Sequence, residues 1–528
     1  MPRTGRTVAP QEKAATHVGE CRVRHARVLR FVNQLASTSA APVACARRVP
    51  FSSLLFLHLF LPVFLVVYWV TPRAGKNAVA IGASLVFYAW GAPKFLPVVL
   101  GLGLVDYVIS RAIGAARARP ETARRAKQLL VLGVTMHLSV LAYFKYSNFF
   151  VEQIDALLAA FGAAPVSWTK VVLPIGISFI TFEEISYLCD VYRGDARPAR
   201  RISHYLLFLT LFPHSIAGPI FRWKDLEAQL AARTHDWTQV RSGFERFAIG
   251  LAKKVLIADS VAIIADGCFA LAPDQLTTPL AWLGAIAYAV QIYFDFSGYS
   301  DMAIGLGRMI GFSFKENFNR PYTSASLTEF WTRWHISLSS WLRDYLYVPL
   351  GGNRRGPRRA LVNLVIVFLL SGLWHGAAWT FVLWGAYHGA FVALERVLGD
   401  RRARIPLPAQ HALTLALIVI GWVFFRAATA GQAFDIIAAM FGAADPTSAI
   451  PVPAPAQLMP RFAQAALAIG AAIALLPIVE RYIDLSGVRA RLPRGAYVAA
   501  RLGPVLLFAL SAIHLTNMQI TPLIYFKF

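Results

Sequence analysis

Apolar runs long enough to cross a lipid bilayer recur along this chain from Phe51 to Phe528. Of its 528 residues, 57% are hydrophobic and 15% are charged, whereas a soluble protein carries about 25% charged residues. Lipid offers no partner to a backbone N–H or C=O group, so each long apolar run must satisfy these groups internally, which favours the α-helix. We therefore predict an all-α polytopic membrane protein.

The apolar pattern predicts about eleven to thirteen membrane helices. Residues 203–221 are also apolar, but Pro213, Gly218 and Pro219 interrupt them. We interpret this stretch as re-entrant or kinked, lying against protein or water rather than lipid. The predicted spans are residues 51–70, 77–92, 95–113, 128–149, 171–190, 247–267, 280–299, 360–375, 377–395, 409–427, 463–480 and 502–519.

Positive charge predicts the orientation of these helices. The formal net charge is +24, and Lys and Arg concentrate in short loops, as they do on the cytoplasmic side of membrane proteins. The excess is therefore a topology signal and does not indicate nucleic-acid binding. Residues 151–170 and 428–460 are nearly free of Lys and Arg and are predicted to face outward. The basic clusters predicted to be cytoplasmic lie at residues 111–127, 193–201, 354–359, 401–404 and 481–494.

The first fifty residues break this pattern. They contain nine Lys or Arg and two Glu, and counting spans places them outside, where positive charge is disfavoured. They hold no apolar core of a signal peptide before Phe51. Two hypotheses stand: residues 1–50 are a disordered basic extension, or the reading frame is over-extended and the native start lies near Val49. Native peptides from residues 1–45 would contradict the second hypothesis. Residues 51–528 are predicted to form a single domain.

No pattern for a bound metal or nucleotide stands out. The four cysteines, Cys21, Cys45, Cys189 and Cys268, lack the spacing of a zinc site or of a disulfide framework. The glycine-rich stretch at residues 305–311 follows no strand, so it is a weak candidate for nucleotide binding. We predict neither a metal nor a bound cofactor.

Two histidines are the candidate catalytic residues. His375 lies in SGLWHGAAW (371–379), within an apolar stretch where an ionisable group is costly unless it faces a cavity and has a function. His335 lies forty residues earlier, amid Trp and Arg. Imidazole exchanges protons near neutral pH, so the pair indicates proton-transfer chemistry. The alternative for His375 is a hydrogen bond that bridges two helices. A third histidine, His388, is expected to be structural, with an accessory role as the alternative.

Residues 320–356 are too polar to span a membrane. We expect an interfacial amphipathic helix that begins at a cap formed by Ser326 or Thr328 and ends near Pro349. The composition of this segment is explained by an interfacial helix with an aromatic belt alone. The functional alternative adds that His335 faces a cavity. The residues that helical spacing places on one face are Trp334, Leu338, Trp341 and Tyr345.

Two carboxylates accompany the apolar run QIYFDFSGYSDMAIGLG (291–307). Asp295 and Asp301 are expected to orient a histidine or to pair with an arginine such as Arg308 or Arg320. Their six-residue spacing does not place both on one helical face, so they are not predicted to form a catalytic dyad.

Taken in order, these segments resemble the membrane-bound O-acyltransferases, and among them the bacterial alginate O-acetylase branch. The likeness is carried by QIYFDFSGYSDMAIGLG, RPYTSASLTEFWTRWHISLSSWLRDYLYVPLGGNR and SGLWHGAAWTFVLWGAYHG, and it runs from Phe51 to the C-terminal IYFKF. It implies a multi-pass protein of the bacterial inner membrane, with a ring of helices around a tunnel that joins a cytoplasmic donor side to an outer acceptor side. An intramembrane histidine is essential in such families, and His375 occupies that position. His335 matches a second position, which is His or Asn by branch.

The resemblance also implies acetyl-CoA as the donor substrate, an exopolysaccharide acceptor, here alginate, and periplasmic acetyltransferase partner proteins. His375 would take a proton from the attacking hydroxyl, and the oxyanion would be stabilised by the indole N–H of Trp374 or Trp379, by His335 or by a backbone N–H. The expected tunnel residues are Trp334, Trp374, Gly376 and Trp379, and the expected contacts of the CoA phosphates are Arg354, Arg355 and Arg358.

Other functions stay open at this point. Acetylation of peptidoglycan or of a cellulose-type exopolysaccharide, and D-alanyl transfer to teichoic acid, share the membrane motifs, and gene neighbourhood would separate them. A transporter predicts inverted repeats with matching broken segments, and the sequence shows one break, at Pro213–Pro219. A purely structural subunit would leave His375 without an explanation.

Overall fold

The computed structural model describes residues 51–443, 455–479 and 494–517. Across these ranges the regular elements are helices, without a strand. Six helices are long and apolar enough to cross a membrane, which confirms the prediction of an all-α polytopic membrane protein. The hypotheses on residues 1–50 lie outside the described residues.

The α-helices are numbered here in chain order. Most of them begin or end at Pro, Gly or a short 3₁₀ turn, as expected from the poor fit of Pro and Gly inside helices. They are α1 Leu61–Val70, α2 Lys76–Gly91, α3 Leu96–Arg117, α4 Ala123–Ala160, α5 Ile177–Arg193, α6 Ile202–Thr210, α7 Trp223–Ala231, α8 Trp237–Ala252, α9 Asp259–Phe269, α10 Thr278–Met309, α11 Leu327–Arg333, α12 Ile336–Leu342, α13 Pro357–His375, α14 Trp379–Leu398, α15 Leu407–Arg426, α16 Ala430–Met440, α17 Pro455–Leu458, α18 Arg461–Val479 and α19 Arg494–Asn517.

The candidate membrane spans differ widely in burial. In an 18-residue apolar stretch of Thr278–Met309, 83% of the residues are buried inside the protein, against 22% in the corresponding stretch of Pro120–Ala160. The first is therefore a central helix, and the second leaves much of its apolar surface for lipid. Three shorter apolar helices accompany the six long ones. The count of eleven to thirteen spans, the ring and the tunnel stay predictions, because length and composition alone do not place a helix in lipid.

The predicted break in residues 203–221 is confirmed. Helix α6 ends at Thr210, and no helix resumes until Trp223. Nearly every residue between them is buried, as irregular backbone must be at membrane depth, where lipid cannot satisfy its polar groups. Gly218 adopts a φ of 111°, a conformation that glycine reaches without strain.

Two pairs of glycines bring α8 and α10 into backbone contact. A Cβ atom on Gly250 would lie 2.5 Å from the carbonyl oxygen of Gly298, and one on Gly243 would lie 2.6 Å from that of Gly305. The reciprocal contacts are equally short. Glycines spaced seven residues apart on each helix therefore form one close seam, the arrangement that lets helices pack tightly without help from the hydrophobic effect.

The buried apolar side chains form two large clusters, and the histidines lie where these meet. The first cluster gathers residues of α1 to α8 and of the second half of α10, together with Leu338 and Trp374. The second gathers residues of α9, the first half of α10, α11, α14 to α16 and α18, and it includes Trp334 and Trp384. Residues 334–338 and 374–384 thus contribute to both cores, which fixes the segments that carry His335 and His375.

The prediction of one helix over residues 326–348 is wrong, although Ser326 does cap its start by accepting a hydrogen bond from Glu329 N. The chain breaks at Trp334 and His335, and His335 takes a left-handed conformation with φ 45° and ψ 55°. Residues 317–319 run beside the break and complete its hydrogen bonds: Ile336 N donates to Asn317 O and Asn319 N donates to Arg333 O, both at 2.9 Å. Because this support comes from another part of the chain, the local helical pattern does not reveal the break.

Candidate active site

His375 is the last residue of α13 and is 5% exposed. The helix ends there because Gly376 is extended, with φ −163° and ψ 152°. Aromatic rings enclose the imidazole: its centroid lies 5.0 Å from Trp374, 5.1 Å from Trp384 and 5.2 Å from Phe425. The predicted base is therefore buried in an apolar setting, where a neutral imidazole is favoured over a charged one.

Two residues of α4 cap the end of α13. Lys145 donates from Nζ to the carbonyl oxygens of Trp374 and His375, the latter at 3.3 Å, and Tyr146 donates from its hydroxyl to Leu373 O at 2.6 Å. The remaining carbonyl of the last turn, that of Gly372, accepts from Gly376 N at 3.3 Å. All four carbonyls that a helix end leaves without intrahelical partners are thus satisfied.

Lys145 is the functional candidate that the sequence interpretation missed. It is buried in the middle of α4, and its ammonium group also lies 5.8 Å from the Trp374 ring. A cation at the C-terminus of α13 interacts favourably with the helix dipole and disfavours a second positive charge on His375. The signal in the sequence was a lysine inside the apolar run LAYFKYSNFF (141–150), the same kind of signal that singled out His375.

His335 is held by Asn317 and Ser337. Its Nδ1 lies 3.1 Å from Asn317 Oδ1, which also accepts from Ser337 Oγ at 2.9 Å, and Asn317 Nδ2 in turn donates to Ser300 Oγ at 3.1 Å. Since the amide oxygen can only accept, Nδ1 carries the proton and Nε2 keeps its lone pair. His335 is 1% exposed, and burial lowers its pKa to about 3.

Strain at His335 supports a functional role. A non-glycine residue with φ 45° costs about 1–2 kcal/mol, and such strain persists where surrounding structure enforces it, often at active sites. In the described ranges, Arg320 is the other non-glycine residue with positive φ.

The two imidazoles share one aromatic neighbour. The Trp374 ring lies 5.0 Å from His375 and 6.4 Å from His335, and the two histidines are close enough for a charge on one to act on the other. The Trp374 ring is held in turn by a stack of aromatic rings. The Phe182 ring lies between Trp374 and Trp341, with its centroid 5.1 Å from the first and 3.8 Å from the second. The structure therefore brings both predicted histidines to one buried region.

The two indole groups expected to stabilise an oxyanion have other partners. Trp374 Nε1 donates to Ser178 O at 3.4 Å. Trp379 is 55% exposed and donates to Gln153 Oε1 at 2.9 Å, so it lies on the surface. Instead, the buried Nε1 atoms of Trp331 and Trp384 have no hydrogen-bond partner among the described residues. The Trp384 ring contacts His375 at 5.1 Å, which makes its N–H the nearer candidate donor.

The other expected tunnel residues pack against protein. The Phe381 ring occupies the space beside Gly376, and Trp334 is buried against Trp422 with centroids 4.9 Å apart. His388 is fully buried, 5.0 Å from both Trp331 and Trp384, and its two nitrogens have no hydrogen-bond partner in the described ranges. It therefore extends the row of aromatic rings around His375.

Asp295 and Asp301 both pair with cations of the α8–α9 region. Lys254 Nζ lies 2.6 Å from Asp295 Oδ1. Asp301 is held by Arg246 at 2.7 Å and by Lys253 at 2.6 Å. The expectation of an arginine partner thus holds for Asp301, with Arg246 in place of Arg308 or Arg320.

A cavity of about 300 Å³ adjoins this region, bordered by α11 to α14. Its apolar wall includes Leu338, Val367 and Phe368, and it reaches Ser371, one helical turn before His375. Its polar residues include Arg343, Tyr347, Asn353 and Arg396. Arg396 donates to Asn353 Oδ1 at 2.8 Å and Tyr347 donates to the same oxygen at 2.6 Å. The predicted phosphate contacts Arg354, Arg355 and Arg358 are exposed on the adjoining turn and helix start.

Comparison with known proteins agrees with the resemblance that the sequence motifs indicate. The sequence profile of the membrane-bound O-acyltransferase family matches residues 200–430, a range that holds both histidines. A probable alginate O-acetylase of Azotobacter vinelandii is 46% identical over 504 residues, covering 90% of this chain and 100% of that protein. One of Pseudomonas aeruginosa is 44% identical over 527 residues with the same two coverages. A peptidoglycan O-acetyltransferase of Helicobacter pylori is 35% identical over 428 residues, covering 74% of this chain and 80% of that protein.

Proposed function

The chain belongs to the membrane-bound O-acyltransferase family, and we propose that it moves acetyl groups from cytoplasmic acetyl-CoA across the bacterial inner membrane for O-acetylation of exported alginate. The observation that carries this proposal is the setting of His375: a buried imidazole at the end of a fully capped helix, beside a second buried histidine and one helical turn from a cavity. Such a group can act as a base where water is scarce.

His375 is the proposed general base. It takes the proton from the hydroxyl of the acceptor, whose oxygen attacks the carbonyl carbon of the thioester. The C–S bond then breaks, the CoA sulfur leaves as a thiolate and the proton held by His375 returns to that sulfur. Burial among Trp374, Trp384 and Phe425 and the nearby ammonium group of Lys145 keep the imidazole neutral and ready to accept.

The developing oxyanion needs hydrogen-bond donors in fixed positions. Trp384 Nε1 and Trp331 Nε1 are the proposed donors, because both are buried without a partner among the described residues. His335 is proposed to orient the acceptor: with its proton held on Nδ1 by Asn317, its Nε2 can accept a hydrogen bond from a substrate hydroxyl.

The cavity beside α13 is the proposed site of the donor. Its apolar wall suits a pantetheine arm, which is long and thin, and its arginines suit phosphate groups. Arg343 and Arg396 line the cavity, so they are the proposed phosphate contacts closest to it. Arg354, Arg355 and Arg358 are proposed to add to the positive field at its mouth, on the side where clustered arginines predict the cytoplasm.

Alginate is proposed as the acceptor because the relatives that align over their whole length are named as probable alginate O-acetylases. Periplasmic acetyltransferase partners are proposed to complete the transfer to the sugar. The alternative acceptor is peptidoglycan, which the name of the Helicobacter relative suggests at lower identity. Residues 51–528 are proposed to carry this activity as a single domain, without the basic extension.

The test is acetylation of the exopolysaccharide in a strain from which the gene is deleted. The wild-type gene should restore ester-linked acetate on purified alginate. The His375→Ala variant should accumulate in the membrane without restoring it, because loss of a general base lowers the rate about 10²–10⁴-fold. The matched control is His58→Ala, which alters an exposed histidine whose ring is hydrogen-bonded to the nearby Leu54 O. Near-normal acetylation by His375→Ala would refute the assigned base.

The same strains separate the two acceptors. Acetate released by mild alkali is measured on alginate and, in parallel, on purified peptidoglycan. Loss from alginate alone supports the proposal, whereas loss from peptidoglycan alone replaces the proposed acceptor.

A further inference from the structure

Three ionisable side chains meet inside the protein, away from the two histidines described above. Asp106 lies on α3, His137 on α4 and Glu184 on α5, and all three are 0% exposed. His137 Nε2 lies 2.8 Å from both oxygens of Asp106, and His137 Nδ1 lies 3.1 Å from Glu184 Oε2. Each of the three helices contributes one ligand-type side chain, so the cluster joins them at their centre.

The charges in this cluster do not balance. Two carboxylates face one imidazole, and in the described part of the chain no lysine or arginine pairs with either carboxylate. Even a protonated imidazole would leave one negative charge buried, which costs several kcal/mol in a low-dielectric interior. A divalent cation beside a neutral imidazole and two carboxylates would bring the total to zero.

The second nitrogen of the imidazole faces the carboxylate of Glu184, and its role depends on the protonation state of the ring. Its Nε2–H donates to Asp106, so in the neutral ring Nδ1 carries a lone pair. That lone pair faces the carboxylate of Glu184, and neither His137 Nδ1 nor the two Glu184 oxygens has a hydrogen-bond partner in the described ranges. Two sets of lone pairs 3.1 Å apart repel each other unless a proton or a metal ion lies between or beside them.

We propose that this cluster binds a transition-metal dication of the zinc type, with His137 Nδ1 and Glu184 as ligands and Asp106 as the carboxylate that orients the imidazole. Two ligands about 2.0–2.2 Å from one tetrahedral zinc ion lie roughly 3.3–3.6 Å apart, so the 3.1 Å separation of Nδ1 and Oε2 needs to widen by only a few tenths of an ångström. A carboxylate that accepts the second N–H of a metal-binding histidine is a common arrangement and strengthens the ligand. The proposal does not depend on the proposed acetyl transfer.

The ion would hold α4 and α5 together, and through Asp106 it would also hold α3. The site has close support: Tyr205 lies 3.5 Å from Asp106 Oδ2, and Tyr187 bonds to Ser110, one turn further along α3, at 2.9 Å. The cluster lies close to the residue that caps α13, because Lys145 follows His137 on α4 by two turns. The role is therefore structural, with the metal fixing the position of α4.

The test is the metal content of the full chain purified in detergent, incubated with zinc and freed of unbound metal. We expect about one zinc per wild-type chain and, by mass spectrometry of the metal, less than a tenth of the wild-type content in His137→Gln and Glu184→Gln. Asp106→Asn should weaken binding about 10–100-fold. The matched control is Glu183→Gln, which alters the neighbouring buried carboxylate, paired with His214 at 3.0 Å, and should keep the metal.

A second measurement uses only the wild-type protein, in case the variants do not fold. X-ray absorption at the zinc edge should show nitrogen and oxygen ligands with the scattering of one imidazole. Three results would each overturn the proposal: wild-type protein that holds only background zinc, equal zinc contents in wild type and Glu184→Gln, or a spectrum without the scattering of an imidazole. In those cases a proton balances the cluster instead.

Discussion

The ammonium group of Lys145 lies 3.3 Å from the carbonyl oxygen of His375. A side chain from the middle of α4 thus ends the helix that carries the proposed base. Together with Tyr146 it fixes the last turn of α13, so that the position of the imidazole depends on a helix remote in the sequence.

Lys145→Met should lower the rate of acetyl transfer about 10²-fold, because a displacement of about 1 Å in a catalytic group has an effect of this size. The expected change is in kcat, with KM for acetyl-CoA nearly unchanged. Lys145→Arg should restore part of the rate, since guanidinium can also donate to the carbonyls. Turnover of the purified enzyme provides the measurement, and Lys170→Met, at an exposed lysine, is the control. Equal losses of turnover in Lys145→Met and Lys170→Met would contradict the prediction and indicate a general effect on folding.

His335→Asn should retain more activity than His335→Ala. Asparagine can still hydrogen-bond, and it tolerates the left-handed conformation that residue 335 adopts. We expect His335→Ala to lower turnover about 10²-fold, with the detergent-purified protein eluting as the wild type does in size-exclusion chromatography. An alanine variant as active as the asparagine variant would mean that the ring and its conformation are dispensable.

The buried imidazole of His335 should make stability depend on pH. Burial lowers its pKa to about 3, against 6.5 in an unfolded chain. As the pH falls below about 6.5, the unfolded state gains a proton that the folded state refuses, so stability falls by up to about 1.4 kcal/mol per pH unit until about pH 3. Above pH 6.5 the group makes no difference. Thermal midpoints in detergent from pH 7.5 to 5 should fall more steeply for the wild type than for His335→Asn, and parallel curves would contradict the prediction.

The close seam between α8 and α10 should not accept a side chain. A Cβ on Gly298 would lie 2.7 Å from Gly250 O and 3.1 Å from Lys254 N, so Gly298→Ala must push the helices apart. Overpacking of this kind destabilises a protein by about 1–3 kcal/mol. The control is Gly101→Ala in α3, where the new methyl group meets open space. The readout is the thermal midpoint in detergent, and an unchanged value for Gly298→Ala would show that the seam can relax.

Reporter fusions test the orientation. A reporter placed within residues 114–126 should be cytoplasmic, and one placed within residues 430–458 should be periplasmic, because arginines cluster at the first site and are absent from the second. Opposite results at both sites would exchange the donor and acceptor sides of the proposed reaction.

The fold class and the two histidines could be predicted because each leaves a local signal. A run of apolar residues predicts a helix by its length alone, and an ionisable residue inside such a run is conspicuous. His375 and His335 were identified in this way. Lys145, Asp106, His137 and Glu184 carry the same signal, but their roles depend on which other helix each one faces.

The break at His335 could not be predicted, since Trp334, Leu338, Trp341 and Tyr345 follow helical spacing across this segment. The left-handed conformation is stabilised by Asn317, which is remote from the helix in sequence and contacts it only in the folded protein. The hydrogen-bond partners of the two indoles could not be predicted for a similar reason. Trp374 and Trp379 flank His375 in the sequence, yet their N–H groups bond to Ser178 and Gln153. The buried N–H of Trp384, in the helix that follows His375, has no such partner among the described residues.

The capped end of α13 also bears on the fate of the acetyl group. With its last carbonyls bonded to Lys145, Tyr146 and Gly376, the turn at His375 needs no solvent molecule to complete its hydrogen bonds. Water is the competing nucleophile for a thioester, and a base that activates an alcohol activates water equally well. In the proposed reaction, a turn that completes its hydrogen bonds without water favours the acceptor hydroxyl over water as the group that reacts with the donor.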